Sequence, residues 1–466
     1  DNYLATDEYT NTTATAVIVE YTVAPVSANG CVGDPLIINA TINPEPVIDP
    51  SLNGFACSDG STGLNLATNG VSVGAMEYNI IGGSVPVGLS ASAGNVAIPA
   101  SNVNASYLAA DTYTNTNTNA LDVVYEVRGV SADGCEGDSE FISITIRPEP
   151  VVTPGIVSTV CSAQASGLIL SSLASSVAAN DYNIISINVP TGAVAAVGNA
   201  VIPANNVADN YLNGDTFTNQ TNLAINITYT VRGVSADGCE SDDEVVVLTV
   251  DPEPVIDPNL DDVLCSGENT GITILTDATS VSAASFDILS ITPDALLVAG
   301  VSNVAPANGV SANYILNDEW TNNASPLPLD VVYEVRASSA LGCRGDIENI
   351  VLTYNPEPVL NSTLGTTVCS DLPINVNFAT NGISVGAANY NLIDVNIPVG
   401  VTANGGNATF PANAVATGYI TSDLFTNQTN SDLNVVYEVR GVRADGCEGE
   451  SEFITVVIQP EPVIAT

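Results

Sequence analysis

The cysteines of this chain recur at a fixed spacing, and that spacing constrains the fold more than any other feature. They form two interleaved series, and within a series each cysteine is followed by the next one 104 residues later, as between Cys31 and Cys135. The motif Pro-Glu-Pro-Val recurs with the same period. A period of this length is too long for one turn of a solenoid and is typical of an autonomous β-sandwich. The sequence therefore predicts a tandem array of small domains.

Domain boundaries are expected at the Pro-Glu-Pro linkers, because proline ends strand pairing and stiffens a linker. The predicted domains are residues 1–46, 47–150, 151–254, 255–358 and 359–466, the last of which includes the start of the next linker. Residues 1–46 match only the C-terminal half of a repeat and cannot enclose a core alone. We therefore expect their missing strands to come either from a preceding part of a longer array or from another molecule by strand donation.

Strand signals are clearest at the end of each repeat. Residues 123–128 alternate apolar and polar side chains and are rich in β-branched residues, and residues 141–146 follow after a glycine-containing turn. This pattern predicts a terminal hairpin. Residues 63–66, 78–81 and 96–98 are shorter strand candidates. No stretch has helical periodicity, so the predicted class is all-β: tandem sandwich domains of 104 residues arranged as an extended filament or stalk.

The charge of the chain excludes several classes of function. It has 51 acidic and 7 basic residues and no histidine, which gives a net charge of −44. Such a chain has no basic patch for nucleic acid or for an anionic membrane, and we expect no membrane insertion. Without histidine it cannot form a Ser-His-Asp triad or an imidazole metal site. Four near-equivalent domains without a distinctive one further predict that the protein is not an enzyme.

The cysteines are predicted to form disulfides in an oxidising compartment. Pairing within each repeat would join Cys57 with Cys135, Cys161 with Cys239, Cys265 with Cys343, and Cys369 with Cys447. Only Cys31 is then left without a partner. The alternative joins cysteines across each linker, beginning with Cys31 and Cys57, and leaves Cys447 alone.

Acidic residues cluster in the turn of the terminal hairpin. Carboxylates that converge there could bind Ca²⁺, which takes six to eight oxygen ligands. The turn is expected near the incoming linker, so the glutamate of that linker could complete an interdomain site. The candidate ligands are Glu45, Asp133, Glu136 and Asp138, and in the next repeat Glu149, Asp237, Glu240 and Asp242. The alternative is that these are solvated turns that keep the protein soluble.

A second recurring element is the pattern Asp-x-aromatic-Thr-Asn. An aromatic ring beside carboxylate and amide groups is typical of a sugar-binding platform. The candidate residues are Tyr113, Phe217, Trp320 and Phe425. A core or turn aromatic would explain the variation among tyrosine, phenylalanine and tryptophan equally well.

Two stretches carry a resemblance to a known family. A Cys-Ser pair preceded by Ala, Val or Leu begins each full repeat, and residues 123–151, VVYEVRGVSADGCEGDSEFISITIRPEPV, end the first one. This pattern resembles the PKD-like repeats of giant surface adhesins from Bacteroidota, over all four full repeats and the leading half repeat. The resemblance implies an Ig-like or PKD-like sandwich, export by the type IX system and a place in an extracellular filament at the cell surface. Some such filaments are moved by the gliding machinery.

The expected function is therefore a repeat segment of a long bacterial surface adhesin that acts as a structural stalk. Expected partners are neighbouring copies of the repeat in a longer chain or filament, and surface glycans or other cells. The alternatives are an array of carbohydrate-binding modules and a strand-donating subunit of a polymeric filament.

Overall fold

The computed structural model describes residues 3–462, so the ends of the first and last predicted domains, residues 1–2 and 463–466, lie outside it. Within residues 3–462 the secondary structure consists of β-strands joined by turns and loops. The predicted all-β class is confirmed. No helix of the described chain has the length and apolarity needed to cross a membrane.

The strands follow the sequence repeat. A leading hairpin consists of β1 (Val17–Val23) and β2 (Leu36–Ile42), and seven strands then recur four times. The first full repeat contains β3 (Gly54–Cys57), β4 (Glu77–Ser84), β5 (Leu89–Ala91), β6 (Ala100–Val103), β7 (Tyr113–Asn115), β8 (Leu121–Val130) and β9 (Glu140–Arg147). The second contains β10 (Val157–Cys161), β11 (Ala179–Asn188), β12 (Ala193–Ala195), β13 (Ala204–Val207), β14 (Phe217–Asn219), β15 (Ile225–Ser235) and β16 (Glu244–Asp251).

The last two repeats have the same order of strands. The third contains β17 (Asp262–Cys265), β18 (Ala283–Pro293), β19 (Val298–Ala299), β20 (Ala307–Val310), β21 (Trp320–Thr321), β22 (Leu329–Ser339) and β23 (Arg344–Asn355). The fourth contains β24 (Thr366–Cys369), β25 (Asn389–Asn396), β26 (Val401–Ala403), β27 (Ala412–Val415), β28 (Phe425–Asn427), β29 (Leu433–Val442) and β30 (Glu452–Gln459).

Each full repeat folds into a five-stranded and a two-stranded sheet. In the first repeat their orders are β3-β9-β8-β4-β6 and β5-β7, and the other three repeats have the equivalent orders. Strands β8 and β9 form the predicted antiparallel terminal hairpin. Strand β3 pairs with β9 in parallel, which places Cys57 opposite Arg147. The first cysteine of the repeat therefore lies beside the C-terminal end of the last strand, where the linker to the next repeat begins.

The core of each repeat comes from alternate residues of the long strands. Val123, Tyr125 and Val127 of β8 are fully buried, and they pack with the inward side chains of β9. The four buried clusters span residues 48–146, 152–250, 256–354 and 360–458, so each lies within a single repeat.

Two of the shorter strand predictions are wrong. Residues 63–66 and 96–98 are irregular, although Leu64 and Leu66 are buried in the core. The N–H of Leu66 donates to the carbonyl of Ala105 at 2.8 Å, outside any ladder. Pro99 lacks an N–H group, and strand β6 begins only after it. Apolar side chains at these positions fill the core without strand pairing.

The described chain divides into two compact units. One consists of the residues up to Phe217 together with Ile225–Val250, and the other of Thr218–Ala224 and the residues from Asp251 onward. The first unit holds the leading hairpin and most of the first two full repeats. The second holds the third and fourth repeats.

Candidate functional site at the junctions between repeats

Disulfides join consecutive repeats, and the predicted pairing within a repeat is wrong. Cys57 of the first full repeat is bonded to Cys239 of the second, with a Cα–Cα distance of 5.5 Å. Cys265 of the third repeat is bonded to Cys447 of the fourth at the same distance. Cys161 and Cys343 are disulfide-bonded as well, although not to the predicted Cys239 and Cys265.

The reason lies in the parallel pairing of β3 with β9. Cys57 lies beside the last residue of β9, whereas Cys135 lies in the turn before the first residue of that strand. Eight residues of extended strand separate the two positions by roughly 25 Å. A disulfide requires Cα atoms within about 7 Å, so the predicted Cys57–Cys135 bond cannot form inside one repeat.

Three cysteines are free: Cys31, Cys135 and Cys369. The alternative prediction, in which Cys31 pairs with Cys57, is therefore also wrong, as is the pairing of Cys369 with Cys447. Cys31 and Cys135 occupy the same repeat position as Cys239 and Cys447, and Cys369 occupies that of Cys57 and Cys265. The free cysteines are thus chemically matched counterparts of the bonded ones.

The hairpin turn lies beside the incoming linker, as the calcium hypothesis requires. Gly137 packs against the carbonyl of Pro46, and Gly449 packs in the same way against Pro358, with no room for a Cβ atom at either glycine. The turn of the second repeat also contacts the last strand of the first, because Arg147 Nη1 donates to the carbonyl of Asp237 at 3.4 Å. The turn thus brings its cysteine to the end of the preceding repeat.

Carboxylates of the first and second full repeats face each other across the junction between them. A cavity of about 320 Å³ is lined by Asp59 of the first repeat, Glu149 of the linker and Asp242 of the second repeat, among others. The pKa of Glu149 is raised to about 7, because burial disfavours its charged form and because Asp59 and Asp242 carry like charges nearby. Of the predicted ligands in this repeat, the structure therefore brings together Glu149 and Asp242.

The same arrangement recurs in the second unit. The pKa of Glu357 is also raised to about 7, by burial and by the charges of Glu450 and Glu268. The pKa of Glu253 is raised by burial and by the charge of Asp346. A linker glutamate facing a carboxylate of the next hairpin is thus a repeated feature of the fold.

Glu45 and Asp138 hold the positions of Glu149 and Asp242 one repeat earlier, whereas the other predicted calcium ligands lie elsewhere. Glu136 accepts a hydrogen bond from Asn79 Nδ2 at 3.0 Å and pairs with Arg128 at 3.7 Å, within its own repeat. Glu240 makes the equivalent contacts with Asn183 and Arg232. Asp133 and Asp237 lie in the exposed hairpin turns, and Glu45 and Asp138 line a common cavity before the first full repeat. Among the described residues no group of three or more acidic or cysteine side chains could hold a metal ion. Calcium binding stays a prediction.

The aromatic residues proposed as a glycan platform are buried, and this assignment is corrected. Tyr113, Phe217, Trp320 and Phe425 are only 1% to 6% exposed. A sugar stacks on the open face of a ring, and these rings have no open face. They pack in the cores of their repeats instead.

The aspartate and the asparagine of the Asp-x-aromatic-Thr-Asn pattern form hydrogen bonds within the repeat. The carboxylate of Asp215 accepts hydrogen bonds from the Tyr229 hydroxyl at 2.8 Å and from the N–H of Ala200 at 2.7 Å. In the first repeat, Asn115 Nδ2 donates to the carbonyl of Ile146, and its N–H donates to the hydroxyl of Ser58, next to Cys57. The motif is therefore structural, and it holds the strand that carries the cysteine.

Sequence reasoning missed Asp59 and Glu268, the carboxylates that follow the first cysteine of their repeats. Their position after the Cys-Ser pair is visible in the sequence. Their place at the junction depends on the parallel pairing of the first and last strands, which no local pattern indicates.

Comparisons with known proteins agree with the architecture. A family model described as a PKD-like domain matches residues 2–46, 90–150 and 366–462, which is less than half of the chain. A search of curated proteins gives no match.

Several solved structures match this chain at low identity. Mouse clustered protocadherin PcdhgC3 EC1-3 is 10% identical, with 66% of this chain and 100% of that chain covered and a TM-score of 0.22. BT4661, a SusE-like surface located polysaccharide binding protein from Bacteroides thetaiotaomicron, is 10% identical, with 96% of this chain and 79% of that chain covered and a TM-score of 0.21. TM-scores this low carry no argument about this chain. The chain is thus similar to PKD-like domains in the three matched segments.

Proposed function

We propose that this chain is a repeat segment of a long extracellular bacterial surface adhesin and that it serves as the structural stalk of that adhesin. The observation that carries the proposal is the junction between repeats. Each of the two described junctions that carry a disulfide has two covalent connections, the Pro-Glu-Pro linker and the bond Cys57–Cys239 or Cys265–Cys447. Two attachment points restrict rotation about the linker far more than one does.

The chemistry of the chain fits a place outside the cell. Six of its cysteines are disulfide-bonded, which requires an oxidising environment. The net charge of −44 keeps neighbouring stalks apart and excludes nucleic acid as a partner. Neighbouring copies of the repeat, surface glycans and other cells are the partners we propose. Export by the type IX system, an origin in Bacteroidota and a part in gliding motility stay predictions from the sequence resemblance.

Small-angle scattering of the purified chain tests the stalk. Four and a half sandwiches placed end to end, each roughly 30–40 Å long, would give a rod about 160 Å long with a radius of gyration of about 45 Å. A single compact globule of this length would have a radius of gyration of about 23 Å. A value near the lower figure would contradict the stalk. A value near the upper figure that broadens into a flexible distribution after reduction would support it.

In the alternative function, the repeats are carbohydrate-binding modules. The four aromatic residues predicted to contact the sugar are buried, so they cannot form its binding surface. This function is tested by a glycan array probed with the oxidised chain. Saturable binding to one class of glycan would favour this alternative, and the absence of binding would leave the structural role.

A strand-donating filament subunit is favoured by one observation. Two apolar side chains of the leading hairpin are exposed, Val23 at 39% and Ile38 at 43%, whereas their counterparts Val127 and Ile142 are buried in the first full repeat. If strands from a second copy cover them, the chain should form oligomers whose size rises with concentration. Charged substitutions at Ile38 and Val23 should then abolish those oligomers, and a monomer at every concentration would contradict strand donation.

A further inference from the structure

The linker and the disulfide leave a repeat from the same end. Cys57 lies opposite Arg147, the last residue of β9, and the linker begins with the next residue. Cys265 lies in the same way opposite Asn355. Side-chain contacts reinforce this end, since Asn355 Nδ2 donates to the Asp445 carboxylate at 2.9 Å. The disulfide therefore spans the junction itself and not a distant part of the two repeats.

This connectivity creates a short covalent path through the chain. Each of the bonds Cys57–Cys239 and Cys265–Cys447 closes a sequence separation of 182 residues. From Cys57 the path crosses to Cys239, follows the backbone to Cys265 and crosses again to Cys447. Residues 58–238 and 266–446 lie outside that path, in closed loops.

We infer that the chain is a covalently locked tether, a role that rests on the stalk function proposed above. Tension applied to the two ends is carried by the disulfides and by about 100 of the 466 residues. Most strands of the four full repeats belong to the closed loops, and the load path bypasses them. A repeat that opens under load cannot lengthen the stalk by its full chain and can refold in place. Reduction would convert the same chain into an extensible one.

A protease site in a bypassed loop gives the first test. Val87 lies in the turn between β4 and β5 and is fully exposed, and of the two bonds above only Cys57–Cys239 encloses it. A recognition site inserted there and cleaved should leave one covalent molecule on a non-reducing denaturing gel. In the Cys57→Ser/Cys239→Ser variant the same cut should release the N-terminal fragment.

The matched control is Cys135→Ser/Cys369→Ser, which removes two free cysteines from the same repeat positions. This variant should behave like the parent chain. Release of the fragment from the oxidised parent would overturn the inference, provided that the disulfide is present by peptide mass mapping. Absence of the Cys57–Cys239 peptide from that map would overturn it as well.

Single-molecule stretching between the termini measures the load path directly. At roughly 3.4 Å per residue the oxidised chain should reach a final contour of about 350 Å, against about 1,600 Å after reduction. Without reductant the Cys57→Ser/Cys239→Ser variant should extend further than the oxidised parent but less far than the reduced chain, because Cys265–Cys447 and the disulfides of Cys161 and Cys343 remain. The control pair of substitutions should leave the contour of about 350 Å unchanged.

An oxidised chain that extends as far as the reduced one would overturn the tether. The outcome is independent of the scattering experiment, which measures shape without load. A compact particle with a short final contour would therefore contradict the stalk function but support the covalently locked tether. A rod with a long final contour would support the stalk function but contradict the tether.

Discussion

The leading hairpin and the terminal hairpin of a full repeat have the same sequence pattern but very different surroundings. Strands β1 and β2 pair in antiparallel register from Val17 opposite Ile42 to Val23 opposite Leu36, much as β8 and β9 do. Val23 is 39% exposed, whereas its equivalent Val127 is fully buried. The alternating pattern is thus sufficient for strand pairing, but burial requires the strands that precede the hairpin in a full repeat.

The tyrosine at the centre of each hairpin has the same polar neighbours in the open and in the closed surroundings. The hydroxyl of Tyr21 lies within hydrogen-bonding distance of the Tyr9 hydroxyl, at 2.9 Å, and of the Asp7 carboxylate, at 3.1 Å, although the site is open. Tyr125 contacts Tyr113 and Asp111 in the same way inside the core. These polar contacts are therefore local to the C-terminal half of a repeat. What a full repeat adds is exclusion of water from them.

The largest expected difference comes from removing the tyrosine ring. Tyr125→Ala should lower the free energy of unfolding of its repeat by about 3–5 kcal/mol, because it leaves a large cavity in a closed core. Tyr21→Ala should cause no measurable change, because its ring packs against no closed core. Hydrogen exchange of the two hairpins in the intact chain measures both. Equal losses of protection would contradict the comparison.

Removing only a hydroxyl should have a smaller effect. Tyr229→Phe takes a hydrogen bond from the buried carboxylate of Asp215, and we expect a loss of about 1–3 kcal/mol. Tyr21→Phe is the matched change at the open site and should leave exchange unaltered. If the Tyr229→Phe substitution leaves the free energy of unfolding unchanged, the hydrogen bond from the N–H of Ala200 is enough to satisfy the buried carboxylate of Asp215.

The junction glutamates should make stability depend on pH. Because the folded-state pKa of Glu149 and of Glu357 is about 7, above the ordinary value of 4.5, the folded chain holds these protons more tightly than the unfolded chain. Stability should therefore be greatest below about pH 4.5 with respect to these groups, and should fall as the pH rises to about 7.

Glu149→Gln should reduce the part of this decline that belongs to the first unit, and Glu149→Asp should retain it. Thermal melts of the parent and both variants between pH 4 and pH 8 measure the effect. A decline that is identical in the parent and the glutamine variant would contradict the assignment to Glu149.

Of the four predicted effects on stability, the effect of Ca²⁺ should be the smallest. If Ca²⁺ binds between Glu149 and Asp242, millimolar Ca²⁺ should raise the melting temperature relative to EGTA at matched ionic strength, and Glu149→Gln should remove the rise. The Asp133→Asn variant, which changes an exposed turn of the first repeat, should keep it. A rise that NaCl reproduces would be screening alone and would count against a calcium site.

Local features were predictable because short segments encode them. The alternation in residues 123–128 and 141–146 specifies a hairpin, and the hairpin is present in all four full repeats and in the leading half. The facing of Glu149 and Asp242 was predictable from the turn and the linker together. The sequence left the four aromatic residues open between a core position and a glycan platform, because a motif with one ring beside polar groups has the same letters in a core and on a surface.

By itself, the sequence determined the period of the array, the all-β class, the terminal hairpins and the oxidising environment, since these follow from composition and from neighbours in the chain. Only the tertiary structure decided which cysteines meet. Cys57 is separated from Cys135 by the length of β9 and is brought to Cys239 by the parallel pairing of β3 and β9. That pairing joins residues about 90 positions apart, and its register is set by packing of the whole repeat.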